Sequence, residues 1–173
     1  MFNSCRTLTN LDLSSLNVIN VYDMEGFLAN CSNVTNINWF NKNYARAFQD
    51  ISNMFIGCGK LTSISLNWRM GNCKDKSHFL QGCSGLTSID LSGFRTNKEG
   101  KYDHDTSYMF AECTNVTSIT LGDFATDYTL DRSYMFSGCT SLKSIDVSTL
   151  QMYKTTTIDG IFCYCSGIFA LVG

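Results

Sequence analysis

Nine cysteines and two histidines are the side chains of this 173-residue chain best suited to chemistry. Thiolates and imidazoles bind zinc, and paired cysteines form disulfides or redox centres. Cys163-Tyr164-Cys165 is a C-x-C pair, and Cys73 stands five residues before His78. Zinc needs four ligands. For the C-x-C pair only His78 and His104 exist elsewhere, and Cys73 with His78 is an isolated pair with no second pair to complete it. No metal and no cofactor is expected. Neither histidine lies by a nucleophile signature such as G-x-S-x-G, and no Gly-rich phosphate loop opens a helix. An enzyme needs unlike residues converging on one point. The recurring acids Asp12, Asp90 and Asp146 instead share one slot of a repeating pattern. The expectation is a protein without catalytic residues.

That pattern is set by seven of the cysteines. Cys5, Cys31, Cys58, Cys83, Cys113, Cys139 and Cys165 are separated by 26, 27, 25, 30, 26 and 26 residues. Four and three residues ahead of them come pairs such as Met54-Phe55, Met109-Phe110 and Met135-Phe136. Three residues after stands Leu8, Val34, Leu61, Leu86, Val116, Leu142 or Ile168, and three further on an Ile or Leu. The repeats are numbered 1 to 7 by these cysteines. Met, Phe and Cys at i, i+1 and i+4 suit one helical turn, and Ile89-Asp90-Leu91 alternates like a half-buried strand. Each repeat then holds a helical or 3-10 turn, a short strand and a return segment. Ordering a residue's backbone costs about 1–2 kcal/mol, and burying an apolar side chain returns about 1.5–3 kcal/mol. One repeat with five or six apolar side chains cannot fold alone, so neighbours must stack. Cysteines stacked at the strand spacing of about 4.8 Å lie too far apart for an unstrained disulfide. Free, buried, mostly reduced thiols are expected.

Composition fits a packed array. Forty-four per cent of residues are hydrophobic, there is no proline, and one style of sequence runs from end to end without a linker or a charge block. A net charge of -2 gives no reason to expect nucleic acid. Met1-Phe2-Asn3-Ser4-Cys5 does not read as a signal peptide, and no segment reaches the length of a membrane span.

The string Met135-Phe136-Ser137-Gly138-Cys139-Thr140-Ser141-Leu142-Lys143-Ser144-Ile145-Asp146-Val147-Ser148 resembles the BspA-type leucine-rich repeats, in their MFxxCxxLTxLDLS form from bacterial surface proteins. Leu86-Thr87-Ser88-Ile89-Asp90-Leu91 is similar to the general LxxLxL core of leucine-rich repeats. The resemblance covers essentially the whole chain. It departs at Trp39-Phe40, which replaces the usual strand end, and in the longer fourth copy. It implies a curved solenoid with a parallel β-sheet on its concave face, an extracellular or cell-surface setting, and a role in adhesion. The expected fold is a single leucine-rich-repeat-like domain over 1–173. Its seven or so coils would start near residues 1, 27, 54, 79, 109, 135 and 161, with short helical or 3-10 turns at the MFxxC segments.

A partner, protein or glycan, would meet residues between the core positions of the strands, which must point outward. These are small and polar, among them Asn36, Asn38, Asn67, Asp90, Thr120 and Asp146. Phe40 is the one large apolar residue in this register; it is either a contact anchor or the mark of a shifted strand that buries it with Trp39. Tyr102 and His104 lie in the longest and most polar return loop and complete the candidate surface. Small residues can equally be present because neighbouring strands crowd large ones. Asn33-Val34-Thr35 and Asn115-Val116-Thr117 fit the glycosylation sequon, but their valines are core positions, so the pattern is read as repeat grammar. Neither end carries a polar capping unit. A second reading is therefore a structural spacer, or a segment that self-associates end to end.

Overall fold

The structure, a computed structural model, describes residues 1–173 except 65, 71–72, 97–103, 122–128, 149, 151, 153 and 173. The side chains of 42–44, 69–70 and 95–96 are likewise outside the description. The strands are short: β1 (Asn10–Asp12), β2 (Asn36–Asn38), β3 (Arg69–Met70), β4 (Ser88–Asp90), β5 (Arg95–Thr96), β6 (His104–Asp105), β7 (Ser118–Thr120), β8 (Thr129–Asp131), β9 (Ser144–Asp146) and β10 (Ala170–Val172). One 3-10 helix, η1, spans Lys42–Ala47.

The strands anticipated after each cysteine form at β1, β2, β4, β7, β9 and β10. All pairing is parallel, with Leu11 opposite Ile37, Ile89 opposite Ile119 and Ile145 opposite Leu171. Among the described residues they pair two by two, as β1-β2, β4-β7 and β9-β10, in the parallel sense expected. Each strand is three residues long; β4, β7 and β9 bury only the central Ile89, Ile119 and Ile145, while Leu11 and Ile37 at the centres of β1 and β2 are half-buried and Leu171 in β10 is exposed.

The MFxxC segments are not helices, a correction to the expected helical or 3-10 turns. Each is a run of turns in which the Cys amide bonds back three residues, as from Cys58 to the Phe55 carbonyl at 3.0 Å. The physical reason lies in two left-handed positions. The residue before each repeat cysteine has φ of +58 to +74°, as at Asn30, Gly57 and Gly138. The residue five before it is left-handed as well in six repeats, as at Asn53, His78, Tyr108 and Tyr134. A left-handed residue ends a right-handed helix. Alternate amides then point along the stack instead of along a helix: Ile51, Asn53, Phe55 and Gly57 donate to Asp75, Ser77, Phe79 and Gln81 of the next repeat at 2.8–3.0 Å. A side chain at Gly57 would also meet Asn30 Oδ1 at 2.8 Å.

A further column precedes these turns. Asp23, Asp50, Asp75, Asp105 and Asp131 pair in sequence as parallel bridges, the last step to Thr157. Each carboxylate accepts the amide two residues on, at 2.7–2.9 Å, and so closes its own Asx turn. The core between the two columns is apolar. Met54, Phe55, Phe79, Leu80, Met109, Phe110, Met135 and Phe136 are fully buried, and Phe110, Phe136 and Phe162 stack at 5.5 and 5.3 Å.

Candidate functional site

The outward strand register carries exposed Asn36, Asn38, Asn67, Asp90, Thr120 and Asp146, as the alternation requires. The pairing brings some of them together. Asp90 faces Thr120 across β4-β7. On β1-β2, Asn36 Nδ2 donates to Asn10 Oδ1 at 3.3 Å, and Asn38 Nδ2 donates to Asp12 Oδ1 at 3.1 Å. Asn67 lies outside any strand, and Asp146 pairs with Val172. The described residues are thus grouped two by two along the array.

The strand acids also have a local task. Asp12, Asp90 and Asp146 accept the amides of Ser14, Ser92 and Ser148 at 2.8–2.9 Å, closing the turn that leaves each strand. Hydrogen bonds from the Ser14 and Ser148 hydroxyls, and then from their amides, lower the Asp12 and Asp146 pKa values. At Asp90 the Ser92 amide is the larger cause, followed by its hydroxyl. These carboxylates are ionised at neutral pH and keep acceptor capacity on the solvent side. The sequon residues are also engaged: Asn115 Nδ2 and Thr117 Oγ1 bond carbonyls of the preceding repeat at 2.7 and 3.2 Å.

Phe40 is not on this surface. It is 3% exposed, stacks on Trp68 at 5.4 Å and meets Trp39 and Phe48 edge to face. β2 stops at Asn38, so the alternation that would have turned Phe40 outward ends first, and its large apolar area is drawn into the core. Of the two readings of Trp39-Phe40, burial of Phe40 holds, while Trp39 is half-buried.

His104 is another correction, since it was expected in an exposed loop. It sits in β6 at 4% exposure, with Nδ1 3.2 Å from Nζ of the buried Lys76. Lys76 also donates to the Cys73 carbonyl at 2.6 Å, and burial lowers its pKa. Lys76 fills the slot held by Met24 and Ile51 in repeats 2 and 3, and Thr106 and Arg132 fill it in repeats 5 and 6. The interior thus changes from apolar to polar at repeat 4. Tyr102 lies outside the described residues.

The repeat cysteines donate S–H to the carbonyl three residues before the preceding repeat cysteine: Cys58 to Leu28 at 3.1 Å, Cys83 to Phe55 at 3.1 Å and Cys139 to Phe110 at 3.2 Å. Burial pushes the Cys58 and Cys139 thiols up to about 12 and Cys73 to about 11. All nine cysteines are free. Among the described residues no three His, Cys, Asp or Glu side chains are grouped to hold a metal, and no helix is long and apolar enough to cross a membrane.

Two features escaped the sequence reading. The aspartate column was legible, since each member stands eight residues before its cysteine. The other is a ring stack on the turn edge, where His78 lies on Tyr108 at 4.8 Å and Tyr108 on Tyr134 at 4.9 Å. Gly, Asn, His and Tyr all occupy this left-handed slot, so composition gave no signal.

Comparison with known proteins agrees with this geometry. The model of the BspA type leucine rich repeat region matches residues 52–169 in six copies. The model of a Mycoplasma protein of unknown function, DUF285, matches residues 1–94. No curated protein matches the chain. A leucine rich repeat protein from T. pallidum is similar in fold, with a TM-score of 0.63 at 16% identity over 97% of this chain and 68% of that one. A leucine-rich repeat protein from Bacteroides ovatus has a TM-score of 0.54 at 23% identity over 83% of this chain; the match spans only 32% of that protein's length. Consecutive parallel strand pairs, the cysteine turns and both family models lead to one assignment: the chain belongs to the BspA-type leucine-rich repeat family.

Proposed function

We propose that the chain is a non-enzymatic recognition module of a surface or secreted protein, a solenoid segment that binds a protein or glycan partner through its strand face. The observation that carries this reading is the outward register itself. Ser88, Asp90, Ser118, Thr120, Ser144 and Asp146 are exposed around buried Ile89, Ile119 and Ile145. They make a shallow surface of hydroxyls and carboxylates suited to hydrogen-bonding ligands. Such repeats place like residues in columns, which favours an extended contact over a catalytic centre. The surface setting rests on the family. The test is a screen of the labelled chain against arrays of glycans and extracellular proteins. Saturable retention of one ligand class supports the reading, and retention of none contradicts it.

A further inference from the structure

Repeats 4 and 5 meet through two basic side chains that solvent hardly reaches. Lys76 is 1% exposed and His104 4% exposed, and Lys76 Nζ lies 3.2 Å from His104 Nδ1. Both depart from the pattern of their neighbours. The residue before the column aspartate is exposed at Tyr22, Gln49 and Lys74, whereas His104 in the same place is buried. The pairing of β6 with β8 shifts register between His104 and Asp105, and a bulge of this kind re-aims a side chain. The residue after the aspartate is Met24 or Ile51 in repeats 2 and 3 and becomes Lys76 in repeat 4. The two departures meet inside the stack. Lys76 Nζ also donates to the Cys73 carbonyl at 2.6 Å. Cys73, Asp75, Asp105 and Arg132 are the titratable groups that act on Lys76, and each of the two carboxylates is already bonded to the serine amide of its own turn. His104 faces Lys76 and lies opposite Thr129 across β6-β8. Asp103, Asp123 and Asp127 lie outside the described residues.

An ammonium group at this distance is attracted by an imidazole nitrogen only while that nitrogen carries no proton. The pair therefore holds one positive charge, and a second would set two buried cations in contact with little water to screen them. We propose that Lys76 and His104 form an acid-sensitive joint in the array, closed near neutral pH with the imidazole neutral and opened between repeats 4 and 5 when acidification protonates His104. A free imidazole titrates near pH 6.5, where other unperturbed side chains keep their charge. The opened chain takes up that proton before the closed one does. The closed joint is then fully stable above about pH 7 and loses stability as pH falls through about 6. Met24 and Ile51 hold the matching slots of repeats 2 and 3 with groups that do not titrate, which confines the response to one junction. The inference does not depend on what the strand face binds.

The test is urea denaturation of the intact chain at about pH 7.5 and about pH 5.5, a window in which carboxylates stay ionised. Uptake of one proton is expected to raise the unfolding equilibrium constant of the parent several-fold, up to about tenfold, on acidification. His104→Gln keeps an acceptor for Lys76 but does not titrate, and it should lose that rise; His78→Gln should keep it. Brief labelling of the parent at the lower pH with a pyridyl disulfide, which reacts with thiols in acid, should reach Cys73 beside Lys76 faster than Cys58 in repeat 3. If His104→Gln fails to fold, the His104 ring signal in the NMR spectrum of the parent is expected to be that of a neutral imidazole at about pH 6. An unfolding constant unchanged by pH, a rise retained in His104→Gln, equal labelling of Cys58 and Cys73, or an imidazolium signal from His104 at neutral pH would each overturn the proposal.

Discussion

The thiol of Cys58 donates its hydrogen to the carbonyl of Leu28, one repeat away, at 3.1 Å. The same relationship recurs from Cys31 to Phe2, from Cys113 to Leu80 and from Cys165 to Phe136. Each cysteine is therefore a small apolar filler with one donor aimed along the stack. The bond exists only while the sulfur is protonated.

This makes stability sensitive to alkali. Burial raises the Cys58 and Cys139 thiols from 9.0 to about 12, and it raises Cys83 and Cys113 well above 9.0. The unfolded thiols ionise first as pH rises, so above about pH 9 the unfolded state binds fewer protons and stability falls. Each such thiol contributes a loss of about 1.4 kcal/mol per pH unit between its unfolded and folded values. Lys76 and Arg132, whose pKa values burial lowers, work in the opposite direction, but they are two groups against four. Urea melts at pH 7 and pH 10 should show a loss of several kcal/mol, and a flat profile would contradict the buried thiol column.

Reactivity follows the same geometry. Cys5, Cys163 and Cys165 are partly exposed, and the other six cysteines are buried. Brief alkylation of the native protein with mass spectrometry should modify at most those three. All nine should react in denaturant, and native labelling of Cys58 or Cys83 would refute this packing.

Phe40 tests the correction to the binding surface. Phe40→Ala and Trp68→Ala each remove a ring from the cluster that also holds Trp39 and Phe48. Each is expected to destabilise the fold by about 3–5 kcal/mol. Thermal melts measure this, and a substitution at Phe40 that leaves the melting temperature unchanged would return it to the surface.

Asp75 accepts both the amide and the hydroxyl of Ser77, at 2.9 and 2.7 Å. Asp75→Ala should cost about 1–3 kcal/mol, because it leaves the turn amide unsatisfied. Asp75→Asn keeps an acceptor and should cost less. Chemical denaturation of the two variants separates them, and equal losses would mean that charge, not the Asx turn, is what matters.

The spacing of the cysteines made the repeat legible, because Phe55, Cys58, Leu61 and Ile64 all sit in the core where their periodicity places them. The turns were misread because a Met-Phe-x-x-Cys spacing is shared by a helix and by a run of turns. The deciding feature, a left-handed residue before the cysteine, is announced by Gly57, Gly82 and Gly138 but hidden at Glu112 and Tyr164. The strand-face residues Asn36, Asp90 and Thr120 were readable because alternation alone fixes their direction. For Phe40 the sequence left exposure and burial both open, and the early end of β2 decides it; His104 was not readable, since its burial follows the polar interior that begins at Lys76.

The central claim is that the strand face is the contact surface. It is tested most directly by measuring retention of an array-selected ligand on the chain and on Ser88→Arg/Ser118→Arg. That variant places two long side chains on exposed, paired positions of β4-β7 without touching the core. The account predicts an unchanged melting temperature and loss of the ligand. A folded variant that binds the ligand as well as the parent chain would contradict it.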